Sequence, residues 1–163
     1  MELNEREAHC VARADILNAP KSVFDVAKYI LEKQGSMITW KLQKLCYYAQ
    51  AWSIAWTEHE LFPEDFEAWS NGPVCRELFA EHKGLFMIGY DDLMKGNPET
   101  LTEDERDTVN IVLEDYGKMS PYELRELSHS EAPYKESRGK LPEGAYSSNV
   151  IPKSAMGIYY GGL

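Results

Sequence analysis

The residues of this chain whose types and spacing could do chemistry are His129, Ser130 and Glu131, which follow one another near the end of a predicted helix. An imidazole and a carboxylate two positions apart could act as an acid–base pair or bind a metal ion. A metal site would need two or three further ligands, and the sequence has no HExxH motif, facial triad or third histidine nearby. We therefore favour a structural role, in which His129 interacts with the last helix carbonyls and Glu131 orders the turn at Pro133.

Cysteines and glycines offer no stronger candidate for catalysis. Cys10, Cys46 and Cys75 are odd in number and lack CxxC or zinc-ligand spacing, so they indicate neither a disulfide framework nor a metal site. No glycine cluster matches GxGxxG or a phosphate-binding loop. The sequence thus predicts no catalytic residue, no metal site and no cofactor.

The element that must position these residues is a predicted central helix from Thr39 to Thr57. One of its faces is broad and apolar. The other is narrow and almost uncharged, and it carries Gln43 and Gln50 at heptad spacing with Tyr47 beside them. So little charge is typical of a helix at the buried centre of a domain. Two alternatives stay open for the narrow face: packed side chains would need hydrogen-bond partners inside the fold, whereas open ones would form a candidate contact surface.

Capping signals predict further helices on both sides of the central one. The start signals are Ser22 with Asp25, Thr39, Pro73 as a first helical residue, Thr102 with Glu105, and Ser120 with Pro121. Gly35 is expected to end the first of these helices because glycine readily adopts the left-handed conformation. A last short helix is expected from Lys153 to about Tyr160.

The rest of the chain predicts extended and loop structure. Alternating residues indicate a short extended or β segment around Phe62–Ser70, followed by a sharp corner at Gly72 and Pro73. The polar, turn-rich stretch Lys135–Asn149 predicts a mobile loop. The fold class is therefore mainly α, a compact single domain of about five to six helices. Residues 1–21 are predicted to form an N-terminal extension and residues 22–163 the helical domain.

Size and charge limit the class of partner. The 163 residues, 44% of them hydrophobic, suit one domain. The 17 basic and 27 acidic residues give a formal net charge of −10, which argues against nucleic acid and anionic membranes and suits a basic partner. Lys41 and Lys44 with Trp40, Tyr47 and Tyr48 could form a stacking platform for single-stranded nucleic acid, but this charge makes a core role the better interpretation. The chain has neither a secretory signal nor an apolar run of spanning length, so we expect a cytoplasmic protein.

Three blocks of sequence form a specific combination. The first is FDVAKYIL followed by KLQKLCYYAQAW (Phe24–Trp52), the second is FEAWSNGPV (Phe66–Val74), and the third is ELSHSEAPY (Glu126–Tyr134). Together they resemble the SocA-like Panacea domain, a family of prokaryotic and phage proteins known mostly as antitoxins. The resemblance covers about Ser22 to Tyr160, and it departs from the family in the N-terminal extension and in Tyr134, where tryptophan is common.

The resemblance implies an interaction module and supplies no agreed catalytic residues. Panacea antitoxins neutralise toxins of unrelated folds encoded beside them, apparently by direct contact, and at least one resembles a protease adaptor that delivers its toxin for degradation. We expect an antitoxin that binds a cognate toxin encoded nearby. The alternatives are a protease adaptor or phage–host interaction factor without a toxin, and a small hydrolase using His129 and Glu131. The candidate partner-binding residues are Gln43, Tyr47, Gln50, Trp69, Gly72, Pro73, Val74, His129 and Glu131.

Overall fold

A computed structural model describes residues 21–163, so the predicted N-terminal extension lies, apart from Lys21, outside the described residues. Within residues 21–163 the chain forms seven α-helices and five short strands. In chain order these are α1 Val23–Gln34, β1 Met37–Ile38, α2 Thr39–Thr57, β2 Phe66–Trp69, β3 Gly72–Val74, α3 Arg76–His82, β4 Met87–Ile88, α4 Glu103–Tyr116, α5 Pro121–Ser130, α6 Ala132–Arg138, β5 Val150–Ile151 and α7 Lys153–Gly161, with short 3₁₀ helices at Tyr90–Asp92 and Pro98–Thr100. The predicted mainly α fold is confirmed.

Helix α2 lies at the centre of this fold and has the predicted bounds. It packs against α1, α4, α5 and α7, so most of its side chains are buried. Tyr47 and Tyr48 are fully buried, and Tyr48 stacks on Tyr116 of α4 with ring centroids 4.1 Å apart. The stacking platform considered for nucleic acid is therefore not formed, because two of its three rings belong to the core.

The capping of α2 differs from the prediction, although the helix begins at the predicted residue. Ile38 occupies the cap position, and the Thr39 hydroxyl donates a hydrogen bond to the carbonyl of Leu85 at 3.4 Å instead of capping the helix. The reason is the preceding strand: β1 pairs antiparallel with β4 and leads directly into α2, so the Thr39 N–H donates to Phe86 at 3.0 Å. The pairing of β1 with the distant strand β4 thus replaces the predicted side-chain cap at Thr39.

Three other predicted helix starts, at Ser22, Thr102 and Ser120, are confirmed by their hydrogen bonds. The carboxylate of Asp25 accepts the N–H of Ser22 at 2.9 Å at the start of α1. Thr102 and Glu105 exchange two hydrogen bonds at the start of α4, at 2.9 and 3.2 Å. The Ser120 hydroxyl accepts the N–H of residue 123 at 3.1 Å at the start of α5. Each signal lies within one turn of its helix, which is why local sequence identified it.

Strands β2 and β3 form a hairpin, and β5 pairs with the other edge of β2, all antiparallel. Pro73 lies in β3 opposite Ala68, so its prediction as the first residue of a helix is wrong; α3 begins at Arg76. The Ala68 N–H donates to Asn149 on the far side, so the Ala68–Pro73 pair exchanges no hydrogen bond. Proline therefore removes no ladder bond at this edge-strand position.

Residues 132–138 are helical, so the predicted loop is wrong for its first four residues, Lys135–Arg138, whereas residues 139–149 contain neither helix nor strand. Pro133 occupies an early position of α6, where its missing N–H has no helical partner. The guanidinium of Arg138 donates to the carbonyl of Ala68 at 3.0 Å and to that of Ala145 at 2.8 Å. Helix α6 thus connects β2 to the segment that precedes β5. None of the helices in residues 21–163 is both long and apolar enough to span a bilayer.

Candidate functional site

The narrow face of α2 is packed against the core. Gln43 and Gln50 are fully buried, and each forms two hydrogen bonds with the backbone next to the β2–β3 hairpin. Gln43 accepts the N–H of Cys75 at 2.8 Å and donates to its carbonyl at 3.1 Å. Gln50 accepts the N–H of Leu61 at 2.7 Å and donates to the carbonyl of Phe62 at 2.7 Å. The two amides therefore hold the chain before and after the hairpin, and the open-surface alternative is wrong for this conformation.

Glu131 also turns into the core. It is 5% exposed, and its carboxylate accepts the hydroxyls of Tyr48 at 2.6 Å and Tyr160 at 2.9 Å. The Tyr47 hydroxyl lies 3.2 Å from that of Tyr160, so the predicted partner residue Tyr47 is part of the same buried cluster. Burial raises the pKa of Glu131. In this conformation Tyr47 and Glu131 stabilise the packing of α2 against α7 and do not reach the surface.

His129 takes no part in this cluster's hydrogen bonds. Its ring stacks on Tyr134 with centroids 4.5 Å apart, and its Nε2 atom is buried without a hydrogen-bond partner among residues 21–163. Burial, followed by the charges of Arg125 and Lys44, lowers the pKa of His129. His129 thus contacts Tyr134, whereas Glu131 accepts hydrogen bonds from two other tyrosines. The described part of the chain contains no cluster of three or more potential metal ligands.

The β2–β3 hairpin exposes only its tip. Gly72, Pro73 and Val74 are buried, so these three predicted contact residues support the hairpin and do not form its surface. Trp69 is partly buried and packs edge-on against Phe79 of α3, with ring centroids 5.0 Å apart. The carbonyl of Trp69 accepts the hydroxyl of Tyr134 at 2.6 Å. The exposed tip is therefore held by α3 on one side and α6 on the other.

A cavity of about 240 Å³ opens beside the hairpin tip, between α2 and α5. Its lining consists of Trp40, Lys44, Asn71, Pro121, Tyr122 and Arg125. Sequence patterns did not identify Trp40, Tyr122 or Arg125 as partner residues, since exposed aromatic and basic side chains on a helix have no periodic signal. Tyr122 is 67% exposed, whereas Lys44 is only 1% exposed.

The three blocks of sequence meet at Gly72, next to this cavity. A Cβ atom added to Gly72, from the second block, would lie 2.6 Å from Cε of Lys44, from the first, and 3.3 Å from Oγ of Ser128, from the third. Residues 42–135 match the sequence model of the family described as antitoxin SocA-like, Panacea domain, and this match spans more than half of the chain. The protein belongs to the SocA-like Panacea-domain family.

The matched region of this Panacea domain runs from α2 into α6 and contains the hairpin, the cavity and His129. It leaves out α1 and α7, to which the resemblance had extended. Neither a curated protein nor a solved structure matches the chain. The family match therefore identifies the domain as antitoxin-like. Any inference about how the domain acts must come from the geometry of residues 42–135.

Proposed function

We propose that this Panacea domain is a cytoplasmic antitoxin that neutralises a cognate toxin, encoded nearby, by direct protein–protein contact. The observation that carries the proposal is the meeting of all three family blocks at the β2–β3 hairpin. Gln43 holds the hairpin by its hydrogen bonds to Cys75, and Tyr134 holds it by its hydrogen bond to Trp69, so the tip is presented in one conformation. Such preorganisation favours binding because little conformational entropy is lost when the partner docks.

The proposed contact area, named here the hairpin surface, consists of side chains that are exposed or partly exposed around the tip. They are Trp40, Trp69, Asn71, Tyr122, Arg125 and His129. Tryptophan, tyrosine and arginine are the residue types that most often dominate the binding energy of protein interfaces. This composition supports a protein partner in preference to a small molecule.

The formal net charge of −10 adds a second, longer-range contribution. A toxin with a basic surface would be attracted by this charge, and the association rate would fall as salt is added. Nucleic acid and anionic membranes would be repelled by it. The hairpin surface would then fix the orientation of a toxin that the overall charge attracts.

Co-expression with the product of the neighbouring gene tests the proposal. We expect that product to be toxic alone and to form a soluble complex with the Panacea domain that relieves the toxicity. Tyr122→Ala should weaken the complex about thirtyfold or more, as expected for an interface hot spot worth about 2 kcal/mol or more. A neighbour that is neither toxic nor bound contradicts the proposal.

Tyr90→Ala provides the matched control. Tyr90 is also exposed, at 38%, but it lies in a 3₁₀ helix where Lys28 of α1 contacts its ring. Its loss should leave the complex unchanged, whereas an equal loss for both variants would exclude the hairpin surface as the specific interface. Recovery of protease subunits without the neighbouring gene product would favour the adaptor alternative.

A further inference from the structure

Lys44 is a buried basic residue without an ion-pair partner among residues 21–163. Its side chain leaves α2 and passes beneath Gly72, and its Nζ atom has no hydrogen-bond partner within residues 21–163. The nearest favourable contact is with the ring of Trp40, whose centroid lies 5.3 Å from Nζ. Removing an ammonium from water carries a large desolvation cost, which a single cation–π contact does not offset. An apolar residue would pack at this position with less cost.

The groups that face Lys44 are mostly basic. Helix α5 contributes Arg125 and His129, and α3 contributes His82, whose pKa is lowered by burial and by the charge of Lys44. Glu126 of α5 is acidic, but its carboxylate pairs with Arg125 at 2.7 Å near the surface. Because the pKa values of both histidines are lowered, the positive charge beside Lys44 at neutral pH comes from Arg125 and from the protonated fraction of Lys44 itself.

The cavity beside the hairpin tip gives access to this basic cluster from the hairpin surface. Lys44 and Arg125 both line it, together with the amide of Asn71 and the rings of Trp40 and Tyr122. Its volume of about 240 Å³ is below the roughly 300–1,000 Å³ typical of small-molecule sites. A cavity of this size suits one amino-acid side chain inserted from a docked protein.

We propose that this cavity receives one aspartate or glutamate side chain of the bound toxin, whose carboxylate pairs with Lys44 and Arg125. This inference rests on the proposed function, since it assigns the chemistry of one contact in the same interface. Arg125 would exchange Glu126 for the incoming carboxylate, and the rings of Trp40 and Tyr122 would exclude water from the pair. Lys44 thus provides an amine that is protonated when the carboxylate binds, at a cost to the stability of the free domain.

Two effects of opposite sign distinguish this role from a structural one. Lys44→Met removes the unpaired charge and retains an unbranched side chain, so we expect a higher melting temperature together with at least tenfold weaker binding of the neighbouring gene product. Arg125→Gln should also weaken binding at least tenfold. Lys28→Met, which removes a cation from α1, is the matched control and should leave binding unchanged. A Lys44→Met variant that binds as tightly as the wild type overturns the proposal.

Wild-type protein gives a second test that does not depend on the folding of a variant. Burial and the charge of Arg125 lower the pKa of Lys44 to about 7, so a carboxylate that enters the cavity at pH 8 should be accompanied by uptake of a proton. Calorimetry of toxin binding at pH 8 in two buffers with different ionisation enthalpies measures this uptake. Uptake of close to one proton supports the proposal, and binding without proton uptake overturns it.

Titration with acetate and with phosphate shows whether the cavity binds a toxin side chain or only a free anion. It also tests the cavity independently of the antitoxin proposal. Acetate added to the full-length wild-type domain should shift the NMR resonances of the Lys44 side chain, even if the neighbouring product does not bind and the antitoxin proposal fails. No shift with acetate overturns the carboxylate cavity. A shift with acetate or phosphate, combined with unchanged toxin affinity in Lys44→Met, would make the cavity a small-anion site only and would equally overturn the proposal.

Discussion

Gly72 lies so close to Lys44 that a Cβ atom at Gly72 would be 2.6 Å from Cε of the lysine. The φ angle of Gly72 is +115°, a conformation that residues with a side chain rarely adopt. The hairpin can therefore cover the central helix at this point only with glycine. This contact positions the exposed tip above the buried cation.

Gly72→Ala should destabilise the domain through both strain and steric overlap. We expect a loss of about 2–4 kcal/mol, because a residue held at unfavourable φ costs about 1–3 kcal/mol and the new methyl group also displaces Lys44. Chemical denaturation measures the change. Gly84→Ala is the control, since Gly84 also has positive φ, at +89°, but a methyl group there would have no neighbour within 4 Å. Equal losses in the two variants would contradict the proposed close contact.

Gln50→Leu should reduce stability without affecting the hairpin surface. The substitution leaves the N–H of Leu61 and the carbonyl of Phe62 buried without their partner. An unsatisfied buried polar group costs about 1–3 kcal/mol, so the free energy of unfolding should fall by at least that amount. Urea denaturation tests this. An unchanged midpoint would revive the view that this face of α2 is a contact surface.

Substitutions of Glu131 should separate its hydrogen bonds from its charge. Glu131→Ala leaves the hydroxyls of Tyr48 and Tyr160 without their acceptor and should cost about 1–3 kcal/mol. Glu131→Gln keeps an acceptor and removes the buried charge, so at pH 7 it should be at least as stable as the wild type. Since the folded pKa of Glu131 is raised above 4.5, the wild type recovers stability as pH falls through that folded pKa, and the advantage of Gln should shrink. An advantage that is constant with pH would contradict this assignment.

Lys44 should give the stability of the domain a specific pH dependence. Its folded pKa of about 7 is below the ordinary 10.5, so between these values the unfolded chain binds a proton that the folded domain lacks. The free energy of unfolding therefore rises with pH, by up to ~1.4 kcal/mol per unit, and below about pH 7 Lys44 adds no slope. Denaturation from pH 7 to 9 should show this rise in the wild type and a smaller one in Lys44→Met.

The upper limit of pH 9 is set by two buried thiols. Burial raises the pKa of Cys46 and Cys75 above the usual 9.0, so at higher pH the unfolded thiols lose protons that the folded ones keep. Their contribution to stability then falls with pH, opposite in sign to that of Lys44. Identical slopes for wild type and Lys44→Met below pH 9 would show that Lys44 does not titrate as proposed.

Signals from neighbouring residues predicted the helix boundaries that depend only on nearby sequence. The starts of α4 and α5 depend on Thr102, Glu105 and Ser120, each within one turn of the helix it caps. The bounds of α2 followed from its own composition. Strand pairing was missed for the opposite reason, because β1, β4 and β5 have only two residues each and their partners are distant in the chain.

The candidate site was predicted only in part because burial depends on tertiary packing. Trp69 and His129 lie at the hairpin surface, whereas Gln43 and Glu131 are in the core, although all four lie in the family's sequence blocks. Lys44 shows the difficulty most clearly: lysine is rarely buried, and the approach of the hairpin is what covers it here. The proposed site therefore rests on the convergence of distant blocks at Gly72 and not on individual residue types.

Hydrogen exchange of the domain with and without the neighbouring gene product tests the central claim most directly. We predict that binding slows exchange at the hairpin tip, residues 69–72, and at the start of α5, residues 121–125. Protection confined to other surfaces, such as the exposed apolar segment around Phe86 and Met94, would contradict the hairpin surface as the site of toxin binding.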